Sequence, residues 1–392
     1  MQSGLSVTSP LNPEHSAAVY AELSARSNDI EAAGRLPQDL ADKMANADFY
    51  RLVVPEALGG LEAHPQVFFD TLAATAQADS AAGWCLMIGT TTSVTSSSLP
   101  TEHAQAIYGT DPKVITAGVT APMGRADIQA DGSVIASGRW PYGSGSQTAS
   151  WIAGGCTLYK DGEVVTNRFD QPATMLVFFE RDQVDIHDDT WQTSGLRGTG
   201  SHDFSVNQAH VPEGRWVELG GRPRIDTPLY RFPTLGLLAL GVSAVSIGIA
   251  RHALSVFHKL AVAKTPTGGR RTLANRGAVQ ADYAMAQAAV DSAEALTRQT
   301  IATAWDQASN GQKIGLDMKA KLRLAATHNT WSAAQAVDRL YHAGGGTSIY
   351  SKSPLQRCFR DVHVTTQHIM VAQPTYEMTG KVALDIDPKQ PL

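Results

Sequence analysis

The chain has 392 residues, with 32 Lys+Arg against 37 Asp+Glu and a formal net charge of −5. At roughly 150 residues per domain, this length allows two or three domains and excludes a mini-scaffold or a lone peptide-binding module. Charged residues make up 18% and hydrophobic ones 43%, against roughly 25% charged in ordinary soluble domains, so much surface is expected to be buried, in part between subunits.

Mixed-sign charge gives no electrostatic reason to expect nucleic acid or an anionic membrane as partner. The three cysteines, Cys85, Cys156 and Cys358, are odd in number and far apart, which argues against a disulfide or zinc framework and fits a reducing cytoplasm. No basic segment followed by an apolar run opens the chain, so no signal peptide is expected.

The first third reads as helical. Leu36, Leu40 and Met44 recur every fourth residue, with Pro37 where a first helical turn tolerates a missing N–H. After a turn at Gly59-Gly60, Phe68, Leu72 and Ala76 mark another helix face that ends near Asp79-Ser80. Around residue 112 the period becomes strand-like. Val114–Thr120, Val134–Ala136, Trp151-Ile152 and Met175–Phe179 are apolar or β-branched runs, punctuated by Asp-Gly turns at Asp131 and Asp161. From Leu229 the helical period returns, with one stripe at Val279, Tyr283, Ala286, Val290 and Ala293 and another from Leu322 to Leu340. Ser353-Pro354-Leu355-Gln356 has the form of a capping box and predicts a helix start. Phe232 to Ala250 carries no charge for nearly the length of a membrane span, but it includes Pro233, Gly236, Gly241 and Gly248 and runs into Arg251-His252. A doubly buried helix in a soluble bundle is expected there. The plan is an α+β multidomain fold: an N-terminal helical domain over 1–111, a middle β-barrel domain over 112–226 and a C-terminal four-helix bundle over 227–392.

Nucleotide fingerprints are missing, since no Gly-x-Gly-x-x-Gly follows a strand and no Gly-Lys-Ser/Thr closes a phosphate loop. His-Glu-x-x-His and Gly-x-Ser-x-Gly are also missing. Asp185, His187, Asp188 and Asp189 read as a solvated acidic turn, and no metal is expected. Four distributed segments remain. They are Trp140-Pro-Tyr-Gly-Ser-Gly-Ser146; Gly195-Leu-Arg-Gly-Thr-Gly-Ser201-His-Asp203; Gly344-Gly345-Gly346 between two helices; and Arg360-Asp361 followed by His363 and His368.

In this order, across a helix–β–helix plan, these segments resemble the acyl-CoA dehydrogenase superfamily from Leu36 to about Gly380. Gly195 to Asp203 resembles its Gly-Met/Leu-Arg-Gly-Thr-x-Ser-x-Asp strand, and Gly345 to Asp361 its Gly-Gly…Pro…Arg-Asp ending. Val119-Thr120-Ala121-Pro122 is similar to its Val-Thr-Glu-Pro strand, with Ala in place of Glu. The resemblance implies a flavin, with Tyr142 near the isoalloxazine, the Ser144 hydroxyl close to N5 and Thr120 on the ring edge. It also implies that Gly344, Gly345 and Gly346 approach the cofactor of a neighbouring subunit in a homotetramer. Arg270 and Arg271, with Gln280 on the next helix, resemble contacts to the phosphate and adenine part, which favours FAD over FMN. Trp84, Phe69 and Phe359 are candidates to line a substrate pocket.

A dehydrogenase of this superfamily needs a carboxylate base to remove the proton α to a thioester carbonyl. Its two usual places read Thr366-Gln367-His368-Ile369 and an acid-free Leu229 to Ala250, which leaves Glu377 as the only later candidate. The departure resembles instead the two-component flavin-dependent monooxygenase branch. That branch is similar in Trp140 to Gly145, in Gly200-Ser-His-Asp-Phe204 and in Arg360-Asp361-Val-His to His368-Ile369. It implies His368 and Ser144 as catalytic residues, and reduced flavin supplied by a separate reductase. With O2 the flavin would hydroxylate a small aromatic, heteroaromatic or polycyclic substrate via a C4a-(hydro)peroxyflavin. A histidine of ordinary pKa could take a proton from a phenol or indole-like substrate, or assist oxygen transfer. His202 and His363 are expected to be structural, satisfied by neighbouring Asp203 and Asp361. Two other readings stay open: an acyl-CoA dehydrogenase-type flavoenzyme using Glu377, and a non-catalytic flavin-binding assembly.

Overall fold

The structure is a computed structural model that describes residues 7–167 and 170–392. Among the described residues six α-helices come first: α1 (Pro13–Ala25), α2 (Ser27–Ala33), α3 (Gln38–Asn46), α4 (Pro65–Ala78), α5 (Ser80–Ser93) and the single turn α6 (Thr101–Ala104). Asn12 starts α1 by accepting the N–H groups of Glu14 and His15, ahead of Pro13. The α5 helix starts the same way, with the Asp79 carboxylate accepting Ala82 N–H at 2.8 Å. It carries no hydrophobic stripe because it is buried on nearly every side, and periodicity alone therefore does not reveal it. Its hydroxyls are satisfied locally, as when Thr90 and Ser93 each donate to the carbonyl four residues back.

The strands are β1 (Thr116–Ile128), β2 (Val134–Trp140), β3 (Trp151–Lys160), β4 (Glu163–Val164), β5 (Thr174–Glu180), β6 (Asp185–His187), β7 (Asp203–Val211) and β8 (Trp216–Val217). They pair as one eight-stranded sheet along β6-β7-β2-β1-β3-β5-β8, with β4 hydrogen-bonded to β3. The expected Asp161-Gly162 turn joins β3 to β4, both residues taking positive φ as a two-residue hairpin requires. Trp140 anchors the sheet. Its indole is fully buried, stacks on Phe204 with centroids 5.0 Å apart, and donates to the Gly155 carbonyl at 2.7 Å. It lies over a floor of glycines, since a Cβ on Gly124, Gly138 or Gly154 would come within 2.3 to 2.7 Å of the ring. The ladder between β1 and β3 slips between Val119 and Pro122, so Thr120 and Ala121 have no partner on β3 in that bulge.

The remaining helices are α7 (Pro228–Arg231), α8 (Thr234–Ala263), α9 (Gly277–Ser309), α10 (Leu316–Gly344), α11 (Pro354–Thr365) and α12 (Pro374–Ala383). The most apolar window of α8 is 78% buried, because α4 and α5 pack on it from one side of the sequence and α10 and α11 from the other. The α11 helix begins at Pro354 as predicted, but Ser353 makes no side-chain cap bond. Gln356 is drawn away from a reciprocal cap, accepting from Arg360 Nε at 2.7 Å and donating to the Ser351 carbonyl at 3.0 Å.

Candidate active site

Helix α5, the β1 bulge, the turns before β3 and β7, and the segment after α11 enclose a cavity of about 500 Å³. Trp84, Thr120, Tyr142, Ser144 and His368 all line it. Five sequence candidates from four separate stretches thus meet in one place.

The turn after β2 brings in Tyr142 and Ser144. It is laced to the segment before β7, with Gly143 N–H on His202 O at 2.9 Å and Gly145 N–H on Thr199 O at 3.2 Å. Tyr142 takes a positive φ of 65° and stands 69% exposed at the mouth, edge-on to Trp191. A bulky residue in that backbone region is strained, and such strain concentrates at ligand sites. Ser144 is buried. Its Oγ accepts the Trp84 indole N–H at 3.0 Å and lies 2.6 Å from Ser201 Oγ. Ser201 is in turn 2.6 Å from Thr199 Oγ1, which donates to the Leu196 carbonyl at 2.8 Å.

Asp361 holds the second wall. Its carboxylate accepts Leu196 N–H at 2.7 Å and the Ser80 hydroxyl, tying the start of α5, the turn before β7 and α11 into one knot. Burial pushes its pKa up to about 6, against the pull of those hydrogen bonds. The approach is tight enough to demand glycine, since a Cβ at Gly195 would sit 2.3 Å from Arg360 O. Helix α11 then ends, and the next turn presents His368, stabilised by Val371 and Ala372 N–H groups on its carbonyl at 2.9 Å.

His368 packs edge to face on Trp84. Its Nδ1 accepts Met370 N–H at 3.3 Å, which assigns the proton of the neutral ring to Nε2. Burial, reinforced by the Arg323 guanidinium, pushes its pKa down to about 4. Arg323 is itself buried on α10 and donates from Nε and Nη2 to the Met370 carbonyl, at 3.3 and 3.1 Å. The imidazole is therefore a neutral N–H donor at neutral pH, and this corrects the expectation of a base with an ordinary pKa. Cys85, beside Trp84, is pushed by burial up to about 12 and stays a thiol.

Phe69 does not reach the cavity, being fully buried in the core on α4. Phe359 stacks on Tyr341 at 4.5 Å and abuts His363, and is not among the residues that line the cavity. Arg270 and Gln280 lie on exposed surface, with Gln280 donating to Ala274 O at 2.8 Å. Gly345 and Gly346 are exposed, and Lys264 pins the basic loop to this turn by donating to Gly344 O at 3.0 Å. These predicted contacts form a second surface region apart from the cavity wall. His363 pairs with Asp338 at 2.8 Å rather than Asp361, and His202 Nδ1 accepts Trp191 N–H at 3.2 Å while Asp203 pairs with Arg139. Glu377 is exposed on α12 and paired with Lys381 at 2.7 Å. Among the described residues that line the cavity there is no Asp or Glu, the residue types that the carboxylate chemistry of a dehydrogenase uses.

Sequence reasoning missed Thr199, Ser201, Leu196 and Arg323 as site residues. The first three lay inside a quoted motif, read for its pattern rather than its hydroxyls. Arg323 had no distinguishing signal, because one arginine in an amphipathic helix reads as solvent-facing.

A flavin ring fits this arrangement: the cavity has room for it, Ser144 offers a hydroxyl, and the bulge leaves backbone groups at Thr120 and Ala121 outside the ladder. The acyl-CoA dehydrogenase C-terminal domain model matches residues 240–373. The chain is similar to an indole-3-acetate monooxygenase of Pseudomonas putida, with 35% identity over 368 residues covering 94% of this chain and 91% of that one. It is 27% identical over 360 residues to the oxygenase subunit of a flavin-dependent monooxygenase of Mycobacterium tuberculosis, covering 88% of each. Its fold matches the crystal structure of 3-HSA hydroxylase from Rhodococcus sp. RHA1 with a TM-score of 0.86, at 24% identity, over 95% of this chain and 96% of that one.

Proposed function

Because the chain belongs to the flavin-dependent monooxygenases built on the acyl-CoA dehydrogenase fold, we propose that its cavity is where an uncharged aromatic or heteroaromatic substrate is hydroxylated. The enzyme is an oxygenase component that uses O2 and reduced flavin from a separate reductase. Reduced flavin supplies two electrons, so that one oxygen atom of O2 enters the substrate and the other leaves as water.

The carrying observation is a cavity in which Ser144 and His368 share Trp84 as a neighbour, and among the described residues that line it there is no Asp, Glu, Lys or Arg. Thr120, Tyr142 and Ser144 would hold the flavin ring. His368 would present its Nε2–H to a substrate oxygen, or to the oxygen being transferred, and orient it. Trp84, Met87, Ile88 and Leu238 exclude water from the reacting atoms. Relatives named for indole-3-acetate act on a carboxylate, whereas a wall without Lys or Arg among its described residues supports a neutral ring here.

We extend the reading to a homotetramer using FAD in the cytoplasm. Exposed Ile349 and Tyr350 flank the glycine turn, and Lys264 ties that turn to the loop carrying Arg270, which supports a second subunit's FAD lying across this surface. Cys85, Cys156 and Cys358 are free and buried, as suits a reducing compartment. Light scattering tests the assembly.

The test of function is turnover with a flavin reductase, NADH, FAD or FMN and a panel of indoles and phenols under 18O2. Product carrying one labelled oxygen is expected. Bleaching of oxidised flavin by an acyl-CoA thioester without any reductase would overturn the reading in favour of a dehydrogenase.

A further inference from the structure

The hydroxyls around Ser144 form a chain whose direction is set at its Leu196 end. At one end the Trp84 indole N–H can only donate, and it gives to Ser144 Oγ at 3.0 Å. At the other end the Leu196 carbonyl can only accept, and it takes the Thr199 hydroxyl at 2.8 Å. Between them Ser144 to Ser201 and Ser201 to Thr199 are each 2.6 Å. A hydroxyl owns one proton and two lone pairs. Thr199 points its proton at Leu196 and so accepts from Ser201, and Ser201 for the same reason accepts from Ser144. Ser144 has then directed its proton away from the cavity and given one lone pair to Trp84. What it keeps for a ligand is a lone pair. All three hydroxyl residues are at most 3% exposed, so bulk water does not scramble the order, and reversing it would leave Thr199 and Leu196 facing each other oxygen to oxygen.

We propose that Trp84, Ser201 and Thr199 are positioning residues that hold Ser144 as a hydrogen-bond acceptor toward the cavity, and that this polarity selects reduced flavin over oxidised flavin. The inference rests on the flavin reading above. Reduced flavin carries a hydrogen on N5 and can donate it to Ser144; oxidised flavin has only a lone pair there, which would face another lone pair. An oxygenase fed by a separate reductase needs this preference, so that spent oxidised cofactor leaves and reduced cofactor replaces it.

The experiment is anaerobic titration of the full-length protein with reduced and oxidised FAD and FMN, followed by fluorescence. Tighter binding of the reduced form is expected for the native chain. In Ser201→Ala the Ser144 proton loses its acceptor and turns to the cavity, so oxidised flavin should tighten roughly three- to tenfold and the preference should shrink. Thr199→Val removes the far end of the chain without changing volume and should shift the ratio in the same direction. Ser144→Ala should instead weaken reduced flavin, and it supplies no donor to the oxidised form, so the preference shrinks from the reduced side. A native ratio in both Ser201→Ala and Thr199→Val would overturn the proposal, and the two variants decide independently should either misfold. A native protein that binds neither redox form would overturn the flavin reading itself, a result that no change of ratio can mimic.

Discussion

The imidazole of His368 meets the indole of Trp84 edge to face, with ring centroids 5.6 Å apart and planes at 74°. The same indole donates to Ser144, so one side chain from α5 holds both residues assigned to the chemistry. An edge-to-face pair contributes about 0.5–1.5 kcal/mol beyond its area. Trp84→Phe keeps most of the ring but removes the N–H. We predict a protein that folds normally and couples less well, with product per NADH falling and H2O2 rising; unchanged coupling would show that the indole only packs.

His368→Ala should lower hydroxylation by roughly 10²-fold or more, the usual worth of a placed proton-bearing group, while flavin affinity changes little. Parallel loss of flavin affinity and turnover would mean that His368 supports the cavity wall rather than the chemistry. Single-turnover rates and equilibrium titration on the same preparation separate the two.

Because His368 has its pKa pushed down to about 4, hydroxylation should stay level through the range where an ordinary histidine titrates, with its acid limb below about pH 5. The linkage has a definite sign. A depressed folded value means that the unfolded chain binds a proton the folded one does not, so this contribution to stability is lost as pH falls from 6.5 toward 4. Arg323→Met removes the secondary cause and should move the acid limb upward; a limb already near 6.5 in the native enzyme would contradict the assignment.

Asp361→Ala leaves Leu196 N–H and the Ser80 hydroxyl without their acceptor, and should destabilise the fold by about 2–4 kcal/mol. Here the sign is opposite. The folded pKa of about 6 lies above the ordinary carboxyl value, so the native side chain stabilises most at acid pH and progressively less as pH rises through 6. The cost of the substitution, read by urea unfolding, should be larger at pH 5 than at pH 8. Equal costs would mean that this carboxyl titrates normally.

Substrate charge offers a fifth check. Since the described residues of the cavity wall include no Lys or Arg, a neutral indole or phenol should show a higher kcat/KM than the same ring bearing a carboxylate, by roughly tenfold for an uncompensated charge. A carboxylate that raises kcat/KM would mean that a cation reaches the site from another subunit.

Much of this was legible in the chain. The helix–strand–helix order, the buried α8 and the start of α11 followed from periodicity and punctuation, and the distributed glycine motifs pointed to the residues that now share a cavity. Helix α5 escaped because a helix buried all round has no stripe to read. Phe69 was misplaced because an aromatic on a helical face looks the same whether it turns to the core or to a cavity. The ordinary pKa expected of His368 failed because its burial and the Arg323 guanidinium come from elements more than 40 residues apart in the chain, and spacing says nothing about such encounters.

The burial of α8 has a consequence for synthesis. This helix is apolar enough to cross a membrane, and the ribosome delivers it after α4 and α5 but before α10 and α11. The side that α4 and α5 cover finds a waiting partner, and the side that α10 and α11 cover waits for helices that begin some fifty residues later. A chain that stops short of Leu316 lacks α10 and α11 and leaves an apolar face of membrane-span length uncovered. Gly236, Gly241 and Gly248 within it, and Arg251-His252 midway along it, are what mark the helix as one meant for the interior of a protein.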